Sequence, residues 1–152
     1  KYSHIVYNLM GQLYKRMWDM PKAIRYYSKA IQTDPEYADA YNSLGVAYMY
    51  QNKYDSAIQM FAKVLEMSPK HASAYVNMGI CMESEGRLNE AVHYYTNALN
   101  IKSDLSEAHY NLGNTLLKQG KTVEAIEHLR KVSGTDPNYG DAQVKLKQLM
   151  SE

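Results

Sequence analysis

Apolar residues recur along this chain at helical spacing, in paired stripes separated by short polar breaks. In one stretch they fall at Tyr41, Leu44, Ala47 and Tyr48, with Gly45 on the same side; they resume at Tyr54, Ala57, Ile58, Phe61, Val64 and Leu65. Residues three and four apart share one face of an α-helix, so each stripe predicts an amphipathic helix with one buried side. The breaks Gln51-Asn52-Lys53, Glu85-Gly86-Arg87 and Gln119-Gly120-Lys121 each carry Asn or Gly, which enter the left-handed region cheaply and so end a helix. Asp34-Pro35, Ser68-Pro69 and Asp136-Pro137 end the next one, because a residue before proline is driven out of helical geometry. The pattern therefore predicts first helices near 2–16, 38–50, 72–84 and 106–118. Partner helices are predicted near 21–33, 54–67, 88–101 and 122–133, with a last helix near 140–151.

The stripes also repeat as a set. Gly11, Gly45, Gly79 and Gly113 stand 34 residues apart, inside the similar blocks Tyr7–Gly11, Tyr41–Gly45, Tyr75–Gly79 and His109–Gly113. Twelve residues on come Ala23, Ala57, Ala91 and Ala125, followed by Tyr27, Phe61, Tyr95 and Leu129. Small residues at these places let two helix backbones cross closely. A sustained period of this length predicts a solenoid, in which each unit buries its apolar face on its neighbours. With these motifs, residues 4 to 139 resemble the tetratricopeptide repeat (TPR) family over four units, at about 4–37, 38–71, 72–105 and 106–139, in a single array over 1–152. The resemblance implies an all-α, right-handed α-solenoid of helix-turn-helix units with a C-terminal capping helix over 140–152. Lys147 stands where the other units have their glycine, so no partner helix should follow. Lys145, Lys147 and Gln148 would wet the outer side of the cap, with Leu146, Leu149 and Met150 inside.

Composition narrows the function. Of the residues 45% are hydrophobic and 22% charged, and the net charge of +1 exerts no bulk pull on nucleic acid or anionic lipid. Acidic Asp39, Glu83 and Glu107 balance Lys15, Arg16 and Lys118, leaving nothing to neutralise phosphates. No apolar run is long enough to insert in a membrane. One cysteine, Cys81, cannot form an internal disulfide; it is compatible with a reducing compartment such as the cytoplasm and otherwise reads as a buried filler. Lys1 is not an initiator Met, so the chain reads as a piece of something longer. The five histidines show no ligand spacing, and no phosphate loop, nucleophile set or carboxylate pair stands out. The expectation is a non-catalytic module needing neither metal nor cofactor.

The TPR resemblance implies that first helices line a concave surface, which places a row of side chains before a partner. Asn8, Asn42, Val76 and Tyr110 are three residues before each glycine; Leu9, Ser43, Asn77 and Asn111 are two before; Gln12, Val46, Ile80 and Asn114 are one after. The next turn adds Met49, Tyr50, Glu83, Leu117 and Lys118. A carboxamide donates and accepts together, so it pairs with a peptide backbone whatever its sequence. The expected partner site is thus Asn8, Asn42, Asn77, Asn111, Asn114 and Tyr110, with an apolar middle at Val46, Met49, Val76 and Ile80. The partner is a protein or peptide segment. A carboxylate clamp of the kind some TPR co-chaperones use is not expected, since Asn8, Gln12, Ser43, Ser73 and Asn77 occupy its positions and none is basic.

Two other readings stay open. The amide row is similar to that of the O-linked N-acetylglucosamine transferase arm, which would make the chain the substrate-recognition arm of a larger enzyme. Homotypic assembly could instead use the uncapped first helix, where Tyr2, Ile5 and Leu9 lack a cover. It could also use a convex stripe at Tyr26, Met60, Tyr94 and His128, whose alternative role is to cover the seam between helices. Trp18 lies in a turn where other units carry Asn or Gly; it is expected to cover the open end or mark a junction with a preceding repeat, with a dedicated binding role as the alternative.

Overall fold

A computed structural model describes residues 2–151. Among these residues there are helices and no strands: α1 (Ser3–Arg16), α2 (Met20–Thr33), α3 (Ala38–Tyr50), α4 (Tyr54–Met67), α5 (Ala72–Ser84), α6 (Leu88–Ile101), α7 (Ser106–Lys118), α8 (Thr122–Leu129) and α9 (Tyr139–Leu149). The protein is an all-α helical-repeat fold.

Every first helix ends in the same way. The amides of Trp18, Asn52, Gly86 and Gly120 donate to the carbonyls of Lys15, Met49, Glu83 and Leu117, while those of Asp19, Lys53, Arg87 and Lys121 reach Tyr14, Tyr48, Met82 and Leu116. This paired closure needs one left-handed residue, and φ is +60°, +57°, +76° and +75° at Trp18, Asn52, Gly86 and Gly120. The asparagine and glycines were expected there. The tryptophan was not.

Second helices mostly follow the sequence. Asp34 and Ser68, each before a proline, leave helical geometry and close α2 and α4. Lys102 closes α6 in the same way without any proline behind it. The exception is α8, which stops at Leu129 and not at 133. There the bonding tightens, with Lys131 donating to the His128 carbonyl and Val132 to that of Leu129. The backbone of Ser133 then turns away to the Ser106 hydroxyl, 2.9 Å distant.

The chain divides into two compact units, one ending at Asn77 and the other beginning at Met78, so α5 contributes to both. In the first unit α1 packs on α2, α3 on α4, and α2 on α3. Ala23, Tyr27, Leu44 and Ala47 form its core, flanked by Tyr14, Ile24, Ile31, Tyr48 and Met60. The repeat glycine has a steric cause: a Cβ on Gly45 would sit 2.6 Å from the Phe61 ring, which lies directly over the backbone. In the second unit Gly113 meets Leu129 similarly, at 2.8 Å. That unit's far end packs α9 on α8 through Leu129, Val132, Ala142 and Leu146, with Leu149 beside them.

Two details of the cap depart from expectation. Met150 is exposed, lying past the end of α9 beside Arg130. Lys145 is half-buried, because its ammonium turns inward onto the Tyr110 ring and hydroxyl and pairs with Asp141. Lys147 and Gln148 do face solvent.

Candidate peptide-binding surface

In the first unit the expected amides are partly committed to one another. Asn77 Nδ2 donates to Asn42 Oδ1 across 3.2 Å, joining α5 to α3, and both side chains are half-buried. One such bond leaves Asn42 its two N–H donors, and leaves Asn77 its oxygen and one N–H. Val46 and Met49 lie on α3 beside them, also half-buried. Together these four side chains present amide and apolar contacts on one helix pair.

Asn8 and Val76 do not belong to this surface. Asn8 is only 3% exposed; its Nδ2 lies 3.5 Å from the Tyr37 hydroxyl, and its Oδ1 has no protein partner. Val76 is 1% exposed, so it packs in the core and cannot receive a partner's side chain. Three before the glycine, Asn8 and Val76 turn inward while Asn42 and Tyr110 stay half-buried, a difference between repeats that the sequence count alone did not resolve.

In the second unit Ile80, Asn111 and Asn114 are half-buried. Tyr110 is tied down: its hydroxyl donates to Asp141 over 2.7 Å and receives Lys145. Glu83 and Lys118, which the sequence placed one turn along, form a structural hub. Glu83 accepts from the Tyr95 hydroxyl at 3.0 Å, the Thr115 hydroxyl at 3.1 Å and Lys118 at 2.6 Å, joining α5, α6 and α7. Burial, then the neighbouring Glu83 charge, push the Tyr95 hydroxyl well above the ordinary tyrosine range.

Other side chains also resolve. Cys81 is fully buried, and its thiol is pushed up to about 12, chiefly by burial. His109 and His128, unconnected in sequence, come together with Nδ1 atoms 2.9 Å apart, while His109 Nε2 lies 3.0 Å from the Ser103 carbonyl. If Nε2 donates to that carbonyl, His109 Nδ1 accepts and His128 supplies the shared proton. Tyr26 stacks on Tyr14, with centroids 5.2 Å apart, and Met60 packs against the first core; both cover seams.

Trp18 is 75% exposed and meets Tyr50 edge-on at 5.8 Å. It therefore lies against the end of α3, in the following repeat, and not over the open face of α1. That open face carries Tyr2, Val6, Leu9, Leu13 and Met17, all exposed.

Residues 20–147 match the model of a family described as the tetratricopeptide repeat protein 21 C-terminal ARM domain. The chain belongs to this TPR-like helical-repeat family. A MamA crystal structure is 23% identical with a TM-score of 0.80, over 93% of this chain and 83% of that one. PilF of Pseudomonas aeruginosa is 22% identical with a TM-score of 0.88, over 98% of this chain and 68% of that one. At these identities the likeness is one of fold. No curated protein sequence matches the chain. TPR-like repeats are protein-interaction units, and among the described residues no helix is long and apolar enough to cross a membrane.

Proposed function

We propose that the chain is a non-catalytic module that holds an extended segment of a partner polypeptide on the amide-bearing faces of its first helices. In the first unit Asn42 and Asn77 would bond the segment's backbone while Val46 and Met49 receive an apolar side chain. In the second, Asn111 and Asn114 would play the same part beside Ile80. The observation that carries this reading is the Asn42–Asn77 pair, which orients two amides yet leaves N–H donors on both and the Asn77 oxygen unspent. Peptides selected by display on the whole chain provide the test. Each amide hydrogen bond is worth about 0.5–1.5 kcal/mol, so Asn77→Ala with Asn111→Ala should weaken the selected peptides by about 5- to 150-fold. Unchanged affinity in that double variant would remove the amides from the site.

A second reading, self-association, is favoured by one feature of α1. Val6 and Leu13 are exposed, whereas their repeat equivalents Ala40 and Ala47 are fully buried. Sedimentation over a concentration series, with Leu13→Glu as control, distinguishes a dimer from a monomeric binder.

A further inference from the structure

Trp18 is an unusual residue for its place in the fold. It holds a left-handed φ of +60° at a turn where the other units use Asn52, Gly86 and Gly120. A bulky side chain is disfavoured in that region, and asparagine or glycine adopts it readily. The strain is not offset by burial, since the indole is 75% exposed. Strained, exposed residues that the surrounding structure over-determines concentrate at binding sites.

The indole also walls a cleft. Lys15, Arg16, Trp18, Met20 and Tyr50 surround about 300 Å³, at the seam between the first turn and the end of α3. Trp18 and Tyr50 meet at an interplanar angle of 78°, so one wall offers a ring face and the other an edge. Met20 adds a polarisable thioether, which packs well against aromatic groups. The volume suits a single ring or proline, at the small end of ligand sites. The charges around it differ in availability. Lys22 is paired with Asp19 at 2.8 Å and lies over Tyr14, whereas neither Lys15 nor Arg16 has an ion pair among the described residues.

We infer that this cleft is a second binding site, separate from the amide faces, for an acidic peptide segment carrying an aromatic residue. The ligand's ring packs into the cleft against the joined Trp18 and Tyr50 rings, and carboxylates on either side of it meet Lys15 and Arg16. Charge complementarity favours an acidic polypeptide. A nucleic acid would need a longer basic track, which the net charge of +1 does not supply.

The chain's single tryptophan makes its fluorescence a local reporter of the cleft. The probe is the pentapeptide Glu-Glu-Phe-Glu-Glu, titrated into the whole chain. Expected is a saturable change in emission, weakened about tenfold or more when Phe becomes Ala, when Glu becomes Lys, or in the K15E/R16E variant. Anisotropy of the labelled peptide should show a similar loss for Trp18→Asn, with the melting temperature held or raised, because asparagine suits the left-handed turn. A drop of several degrees in Trp18→Asn would assign the indole to the fold and overturn the proposal. So would absence of a saturable change, an equal response to the lysine peptide, or tighter binding of an oligouridylate. An emission change on concentrating the protein alone would put a second copy in the cleft and overturn it as well.

Discussion

Single side chains in this protein have consequences that the repeat itself exposes. Tyr27 is fully buried with a hydroxyl that has no partner, and burial pushes that hydroxyl up to about 12. Phe61 fills the equivalent place one repeat later. Removing an unsatisfied buried hydroxyl recovers its desolvation cost, so Tyr27→Phe should be neutral or stabilising by about 1 kcal/mol in urea unfolding. A loss of comparable size would show that the hydroxyl has a partner. Glu83 is the opposite case. Glu83→Ala strips the acceptor from Tyr95, Thr115 and Lys118 and should destabilise by on the order of 2 kcal/mol. Adding Tyr95→Phe to that variant should recover part of the loss, because the orphaned hydroxyl goes too; additive losses would contradict the hub. Sequence spacing placed Glu83 on the partner-facing side. It could not show that a tyrosine from α6 and a threonine from α7 converge on it, since that depends on how helices dock.

At the scale of elements, periodicity carried most of the fold. The glycine and alanine steps marked helix crossings, and Gly86, Gly120 and Asn52 marked the left-handed closures. Trp18 escaped because residue type argued against the conformation that the repeat register required. The short α8 escaped for a related reason: Pro137 suggested a later end, but the backbone of Ser133 is captured by Ser106 from α7. Within the candidate site the inward turn of Asn8 and Val76 was not legible, since Asn42 and Tyr110 share their repeat position and stay half-buried, and the difference depends on how each helix docks. The α7–α8 seam yields a pH prediction. His109 and His128 both titrate below the ordinary 6.5, through burial first, helped by Lys131 and, for His128, by His109; the Ser103 carbonyl, Glu124 and Glu127 oppose this. Above pH 6.5 both are neutral whether folded or unfolded. As pH falls through that value the unfolded chain takes up protons first, so stability drops towards the depressed folded values. Replacing the pair by His109→Tyr with His128→Met copies Tyr41 and Met60 of an earlier repeat. The variant should lose less melting temperature than the parent between about pH 7.5 and about pH 5.5. Equal losses would place the sensitivity elsewhere.

At the scale of the whole molecule, each compact unit has its own core, and each offers half-buried asparagines on a first helix. Neutral amides of this kind suit a partner recognised by its backbone, with side-chain preference supplied by Val46, Met49 and Ile80. Binding should therefore respond weakly to salt, unlike a cleft lined by Lys15 and Arg16, and titrations of selected peptides at low and high ionic strength distinguish the two. The most direct measurement follows the side-chain amide resonances of Asn42, Asn77, Asn111 and Asn114 by NMR while a selected peptide is added. Shifts and slowed exchange at those amide groups, saturating with the binding curve, are the expected result. A peptide that binds tightly while all of them stay unmoved would contradict an amide-based hold on the partner's backbone.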